Sequence, residues 1–225
     1  GSPQLGINAL NAASIGLTAL AYHRETFRDS DHVRIHPIVT KGGNLVNVVP
    51  DEVVIETLVR ASNQDAIVDA AEKTDRAFFA GGAALGATVE IETMPGYLPT
   101  LPQEPDAELV EAAKIAADGK YAVEIADDKG SVSGGSTDVG DVQHILPVYT
   151  FQTGGIEGNF HSADFKVVDE ELAYIVTAKV FALSAYRLLR DGAKEAKRIA
   201  AAYQPKFTKE AYVAFMDSMI KKEWR

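Results

Sequence analysis

Apolar residues recur every three to four positions between Asn8 and Phe27, where Leu10, Ala13, Leu17 and Leu20 share one side. That spacing predicts a helix, with Asn8 as its cap after Gly6. The pattern then changes to alternation. Val33, Ile35, Pro37 and Val39 alternate with Arg34, His36 and Ile38, as in a strand, and Lys41-Gly42-Gly43-Asn44 reads as a tight turn. Leu45 to Val49 is a second predicted strand, stopped by Pro50. Glu52 to Ala61 is a third β-rich run. The helical period returns from Gln64 to Leu85, with Ile67, Ala70, Ala71, Thr74, Ala77 and Phe78 on one side, and glycine caps its end. Ala87 to Thr93 closes this first block as a strand. Helix, strands, helix and strand in that order make a split βαβ unit that lacks its first strand. The expectation is that the chain begins inside a larger protein.

Met94 to Pro105 is proline-rich and reads as a linker or an extended crossover. A helix is predicted from Asp106 to Ala117, a short strand over Tyr121 to Ile125, and a Gly-, Ser- and Asp-rich loop over Asp127 to Asp141. Ile145 to Phe151 is an apolar run fit for a buried strand. A second Gly-rich loop, Gln152 to Ser162, leads to a long helix from Asp169 to Arg190. That helix is apolar nearly all round and is expected to be buried in a core. Further helices are predicted over Ala193 to Ala202 and Thr208 to Lys221, with Thr208 as an N-cap.

Length and composition narrow the class. A chain of 225 residues with 46% hydrophobic and 24% charged residues is an ordinary globular chain with room for one large or two modest domains. No run of about 18 apolar residues without charges stands out, so no transmembrane helix and no membrane partner are expected. The N-terminus does not read as a signal peptide. Cysteine is absent, which excludes disulfides, thiolate nucleophiles and Cys-type metal sites and fits a reducing compartment, so a cytoplasmic location is expected. A net charge of −10 argues against nucleic acid, which needs a basic stripe. The basic cluster near Lys194 to Arg198 alternates with acids, as a solvated helix face does.

Candidate chemistry is sparse. None of the five histidines forms a helical pair, and no P-loop, dinucleotide fingerprint or nucleophile elbow occurs. Ser131, Ser133 and Ser136 lie in a loop with no adjacent base. Two Gly-rich loops flank an apolar strand, one with Ser136-Thr137-Asp138 and the other with His161. Ligands of open α/β sheets bind outside the carboxyl ends of strands, which makes Asp138 and His161 candidates. The residues alone leave open a plain hydrogen-bonded loop histidine, a rim charge at Arg60 and a turn-stabilising amide at Asn47.

Several runs together resemble a known family. The run from Val33 to Pro50, with Gly42-Gly43, Asn47 and Pro50, followed by a strand ending in Arg60, resembles the lid segment of peptidase family M-twenty. That family groups aminoacylases, carboxypeptidases and aminobenzoyl-glutamate hydrolases. Gly135-Ser136-Thr137-Asp138 resembles its acidic loop. Asn159-Phe160-His161-Ser162, with Asp169-Glu170 and the long helix, resembles its C-terminal histidine signature. The resemblance runs in the right order over most of residues 3 to 190.

It implies an α/β plus α+β protein. Residues 1–100 would be a ferredoxin-like lid, or dimerisation, domain without its first strand. Residues 101–225 would be the C-terminal half of a zinc-peptidase-like catalytic domain. It implies hydrolysis of an amide bond in an N-acyl amino acid, an aminobenzoyl-glutamate-like compound or a small peptide, with two zinc or manganese ions that lower the pKa of a bridging water. His161 matches a metal ligand, and Asn47 a lid amide that binds the substrate or the developing oxyanion. Arg60 matches a guanidinium that clamps the substrate carboxylate, and Asp138 a loop acid beside the site. The other metal ligands and the glutamate base would belong to an N-terminal half of the catalytic domain that this chain lacks, so the chain alone is expected to be inactive and to hold no metal tightly. A homodimer through the lid is expected. The alternative is a non-catalytic binding or assembly module of the same fold.

Overall fold

The computed structural model describes residues 1–102, 104, 106–125 and 137–225. They form mixed helix and strand, in two units. The first holds Gly1–Thr100, the described part of Val132–Asp141, and Phe207–Arg225; the second holds the described parts of Leu101–Ser131 and Val142–Lys206.

In the first unit, α1 (Ala9–Tyr22) starts where the Asn8 side chain accepts a hydrogen bond from Asn11 N at 3.0 Å. Its partner α2 (Gln64–Leu85) is capped by Asn63 and ended by Gly86 in the left-handed conformation, φ 73°. Small residues let the two backbones touch. A Cβ on Gly81 would lie 2.5 Å from Ala12 O and 2.6 Å from Gly16 N. Ala70 and Ala77 are fully buried along the same face.

Short antiparallel strands complete the unit. β1 (Arg34–Ile35) pairs with β4 (Val59–Arg60), and β2 (Ile38–Lys41) with β3 (Val54–Glu56). The single strand expected over 33–39 is broken at His36-Pro37, and the third run breaks in step at Thr57-Leu58. Proline has no N–H for a ladder, so the hairpin divides there.

The strand expected over Leu45 to Val49 does not form. Val48 N donates to Leu45 O at 3.3 Å instead, closing a turn. Leu45, Val46 and Val48 are all exposed. Alternation yields a strand only where one face packs and a neighbour supplies the ladder.

β5 (Glu90–Thr93) pairs with β8 (Lys221–Trp224), a strand the sequence pattern did not announce. The ladder continues as Val89 and Arg225 exchange both backbone hydrogen bonds, at 2.7 and 3.0 Å. Lys221 Nζ lies 2.7 Å from Asp75 Oδ2 on α2, and Lys222 Nζ lies 2.7 Å from Glu90 Oε1. The Arg225 guanidinium sits over the Phe79 ring at 4.6 Å. Before β8 in the chain comes α6 (Lys209–Ser218), capped by Thr208, whose Oγ1 accepts from Ala211 N at 3.2 Å.

In the second unit, Asp106 caps α3 (Ala107–Ala117) by accepting from Glu108 N at 2.9 Å. A π-helical turn, Glu171–Val176, runs into α5 (Thr177–Ala202), which breaks at Arg190–Ala193, where Asp191, Gly192 and Ala193 take positive φ. The break matches the two helices the pattern indicates. α3 packs on this helix through Ala116, Val176 and Val180, with Leu172, Leu183 and Tyr121 around them. Burying each such valine is worth about 1.5–3 kcal/mol.

The opposite side of the helix is open, against expectation. Phe181 is 63% exposed and Leu189 64%. Glu171–Ala202 is also long and apolar enough to cross a membrane by length and composition alone, although charged residues interrupt it. Lys179 lies within it, and its buried stripe faces α3, as in an amphipathic core helix.

Tyr121 to Ile125 and Ile145 to Phe151 are irregular rather than strands. Gln143 takes over the hydrogen bonding that a strand would provide near the latter. Its buried carboxamide accepts from Leu101 N at 2.9 Å and donates to Leu101 O at 3.3 Å. β6 (Ile156–Glu157) and β7 (Lys166–Val167) form a small hairpin.

Candidate functional site

Arg60 ends β4, is half-buried and lines a groove of about 220 Å3 in the first unit. Apolar side chains make the walls: Leu58 beside it, Ile67 from α2, Tyr97 and Leu98 from the proline-rich segment, and Phe215 and Met219 from the C-terminal helix. A guanidinium lining an apolar groove suits a ligand with one carboxylate and one apolar group, since the fork meets both carboxylate oxygens.

The groove wall is anchored by a residue next to a sequence candidate. Asp141, in the short helix α4 (Val139–Gln143), accepts from Leu98 N at 2.8 Å. Gly140 lets the helix come this close, because a Cβ there would lie 2.0 Å from Leu98 O. Partial burial, with Asp141 beside it, raises the Tyr212 phenol above its ordinary value. Asp138 is exposed at the start of α4, and Thr137 Oγ1 donates to its carboxylate at 3.0 Å. The rest of its expected loop, 127–136, including Ser131, Ser133 and Ser136, lies outside the described residues.

Asn47 sits in the exposed turn that closes with Val48, rather than on a strand. Among the described residues its carboxamide makes no hydrogen bond, so it can donate to an external carbonyl.

His161 belongs to the second unit. It lies in the loop of the β6–β7 hairpin, exposed, with φ 64°. The loop is closed by Ser162 N to Asn159 O at 3.2 Å and Phe165 N to Ser162 O at 3.2 Å. Phe160 and Phe165 pack with ring centroids 5.4 Å apart. The Ser162 hydroxyl bond holds the Asp164 carboxyl below its ordinary value. A non-glycine residue in this region carries strain, and such strain collects at functional sites. Downstream, Asp169 accepts from Leu172 N at 2.9 Å and from the Tyr121 hydroxyl at 3.1 Å, fixing the entry to the long helix. Partial burial, and then that carboxylate, raise the Tyr121 phenol.

Among the described residues no three His, Cys, Asp or Glu side chains gather where they could hold a metal ion. His161 supplies one imidazole, short of the three or four protein donors that a metal centre needs. The groove residues Phe215 and Met219 and the anchor at Leu98 escaped sequence reasoning. Their only sequence signal is apolar spacing, which a core helix shares.

No protein-family model matches the chain. Two curated proteins are similar to it. The chain resembles Xaa-Arg dipeptidases. It is 26% identical to the mouse Xaa-Arg dipeptidase over 191 residues, 81% of this chain and 43% of that protein. It is 28% identical to the human Xaa-Arg dipeptidase over 162 residues, 71% of this chain and 34% of that protein. The chain thus spans less than half the length of the curated relatives it matches. The similarity to these dipeptidases supports a peptidase-family reading.

Proposed function

We propose that these residues belong to a metal-dependent peptidase of family M-twenty that cleaves the amide bond of a dipeptide or an N-acyl amino acid. The similarity to Xaa-Arg dipeptidases over 81% of the chain carries this reading. In it, residues 1–100 act as the ferredoxin-like lid and dimerisation surface, and residues 101–225 as the C-terminal half of the catalytic domain. Arg60 binds the substrate carboxylate, and the Asn47 carboxamide donates to the carbonyl oxygen on which charge develops. Asp138 supports the loop beside the site. His161 offers one imidazole to a zinc or manganese centre whose other donors come from outside the described residues. The chemistry argued for this chain is therefore substrate holding and orientation.

A second reading, a non-catalytic binding or assembly module of the same fold, makes a different prediction for a longer polypeptide. One experiment separates the two. The 225-residue chain is dialysed against zinc and manganese and assayed for release of free amino acids from dipeptides. The assay is then repeated with a polypeptide that also carries the region of the relatives this chain does not match. The peptidase reading expects no tight metal and no turnover from the chain alone, with both appearing in the longer polypeptide. In that polypeptide, Arg60→Ala should raise KM more than it lowers kcat. Asn47→Ala should lower kcat by about 10²-fold. A longer polypeptide that binds metal yet cleaves neither dipeptides nor N-acyl amino acids would favour the module.

A further inference from the structure

We propose that the cavity beside the C-terminal end of α1 binds a small amphiphilic anion, a carboxylate or phosphate head on an apolar tail. The cavity holds about 600 Å3, in the range of ordinary small-molecule sites. Its floor is apolar, from Leu17 and Leu20 on α1 and from Phe27, Val33 and Ile35 in the segment that follows. Its rim is basic. Arg24, Arg28 and Arg34 line it with His32, and Asp29 is the carboxylate among them.

What sets Arg24, Arg28 and Arg34 apart is that all three line one cavity. The chain carries a net charge of −10. Four lysines of the same unit each sit against an acid: Lys41 against Glu52, Lys73 against Asp69, Lys221 against Asp75 and Lys222 against Glu90. Among the described residues no carboxylate pairs with Arg24, Arg28 or Arg34. Arg34 Nη1 donates to the neighbouring Val33 O at 3.0 Å, which leaves its other donors available. Gathered cations repel one another, and an oxyanion that accepts from several of them removes that repulsion.

The floor is built in advance. Lys73 lies over the Phe27 ring at 4.9 Å and donates to Thr26 O at 3.2 Å, which ties the ring to α2. His32 takes a left-handed φ of 49° at the end of the turn Asp29–Asp31, which folds Arg28 and Arg34 to one cavity. The apolar floor selects a tail, and the guanidinium forks select the head. This site goes beyond the peptidase reading: it shares no lining residue with the Arg60 groove.

The test needs no activity. The isotope-labelled chain is titrated with octanoate, octyl phosphate and octanol, followed by backbone NMR. At least one of the two anions should bind at a single site, moving the amide signals of Leu20, Phe27 and Val33. The tighter anion names the head group. Octanol should bind at least about tenfold more weakly, and the variant carrying Arg24→Gln and Arg28→Gln should lose about tenfold in affinity for the anion. Both arginines are exposed, so the variant should keep its circular dichroism melt; if it does not, Arg34→Gln is read in its place. Binding of neither anion, equal binding of octanol, or full affinity in a folded arginine variant each overturns the proposal.

Discussion

Arg34 and Arg60 stand directly opposite one another across the β1–β4 pair. Opposed residues of an antiparallel pair emerge on the same face, and like charges so placed weaken the pairing. Arg34→Glu should therefore stabilise the fold by about 0.5 kcal/mol. Thermal melts at low and high salt check it, with the gain shrinking as salt screens the new pair. No gain at low salt would mean the two charges do not feel each other.

The crossing of α1 and α2 depends on backbone contact at Gly81. A Cβ there meets Ala12 O and Gly16 N, and backbone cannot yield as a side chain can. Gly81→Ala should cost about 1–3 kcal/mol by overpacking, although alanine is the better helix former. Urea denaturation measures this; a stabilised variant would show that the helices separate without cost.

β8 should come loose at both ends of the pH scale. Its hydrogen bond to Asp75 raises Lys221, and its hydrogen bond to Glu90 raises Lys222, above the ordinary 10.5. Their contribution is complete below the unfolded value and is lost as pH climbs through the raised folded values. Glu90 is lowered from 4.5, first by the hydrogen bond from Lys222 and then by that from Trp224. Its contribution is complete above the unfolded value and is lost as pH falls through the depressed folded one. Trp224 is the chain's single tryptophan, and its indole donates to Glu90 Oε2 at 2.6 Å. Its emission should change below about pH 4.5 and above about pH 10.5, and Glu90→Gln should remove the acid transition.

Two neighbouring aspartates should behave differently. Asp141→Ala leaves the Leu98 N–H without its partner and should cost about 1–3 kcal/mol. Asp138→Ala, exposed, should change stability by less than about 0.5 kcal/mol. Equal losses in chemical denaturation would argue against the Leu98 anchor.

His161→Gly should keep or raise the stability, by up to about 1 kcal/mol, because glycine takes a positive φ without cost. In a metal-loaded longer polypeptide the same change should lower metal content, measured by atomic emission. Stability gained while metal is lost would mark the imidazole as held there for its chemistry.

Helices were legible in the sequence because their period and caps are local. Asn8, Asp106 and Thr208 each cap the helix they precede. Strands were less so. β8 exists because β5 offers it a ladder more than a hundred residues away in sequence, and the Leu45 to Val49 pattern fails for want of such a neighbour. The candidate site shows the same divide. Arg60 was readable as a charge ending a strand. Phe215 and Met219, which wall its groove, were not, because only tertiary packing brings them there. His161 was readable as a loop residue, but its left-handed backbone was not.

The open side of α5 governs how the isolated chain will handle in the laboratory. Phe181, Tyr186 and Leu189 present aromatic and aliphatic area to water along one flank, and such patches drive clumping at high concentration. Preparations should stay monodisperse only when dilute or when mild detergent is present. Exchanging those three side chains for serine or glutamine should raise yield without touching the α3 contact that holds the helix in place.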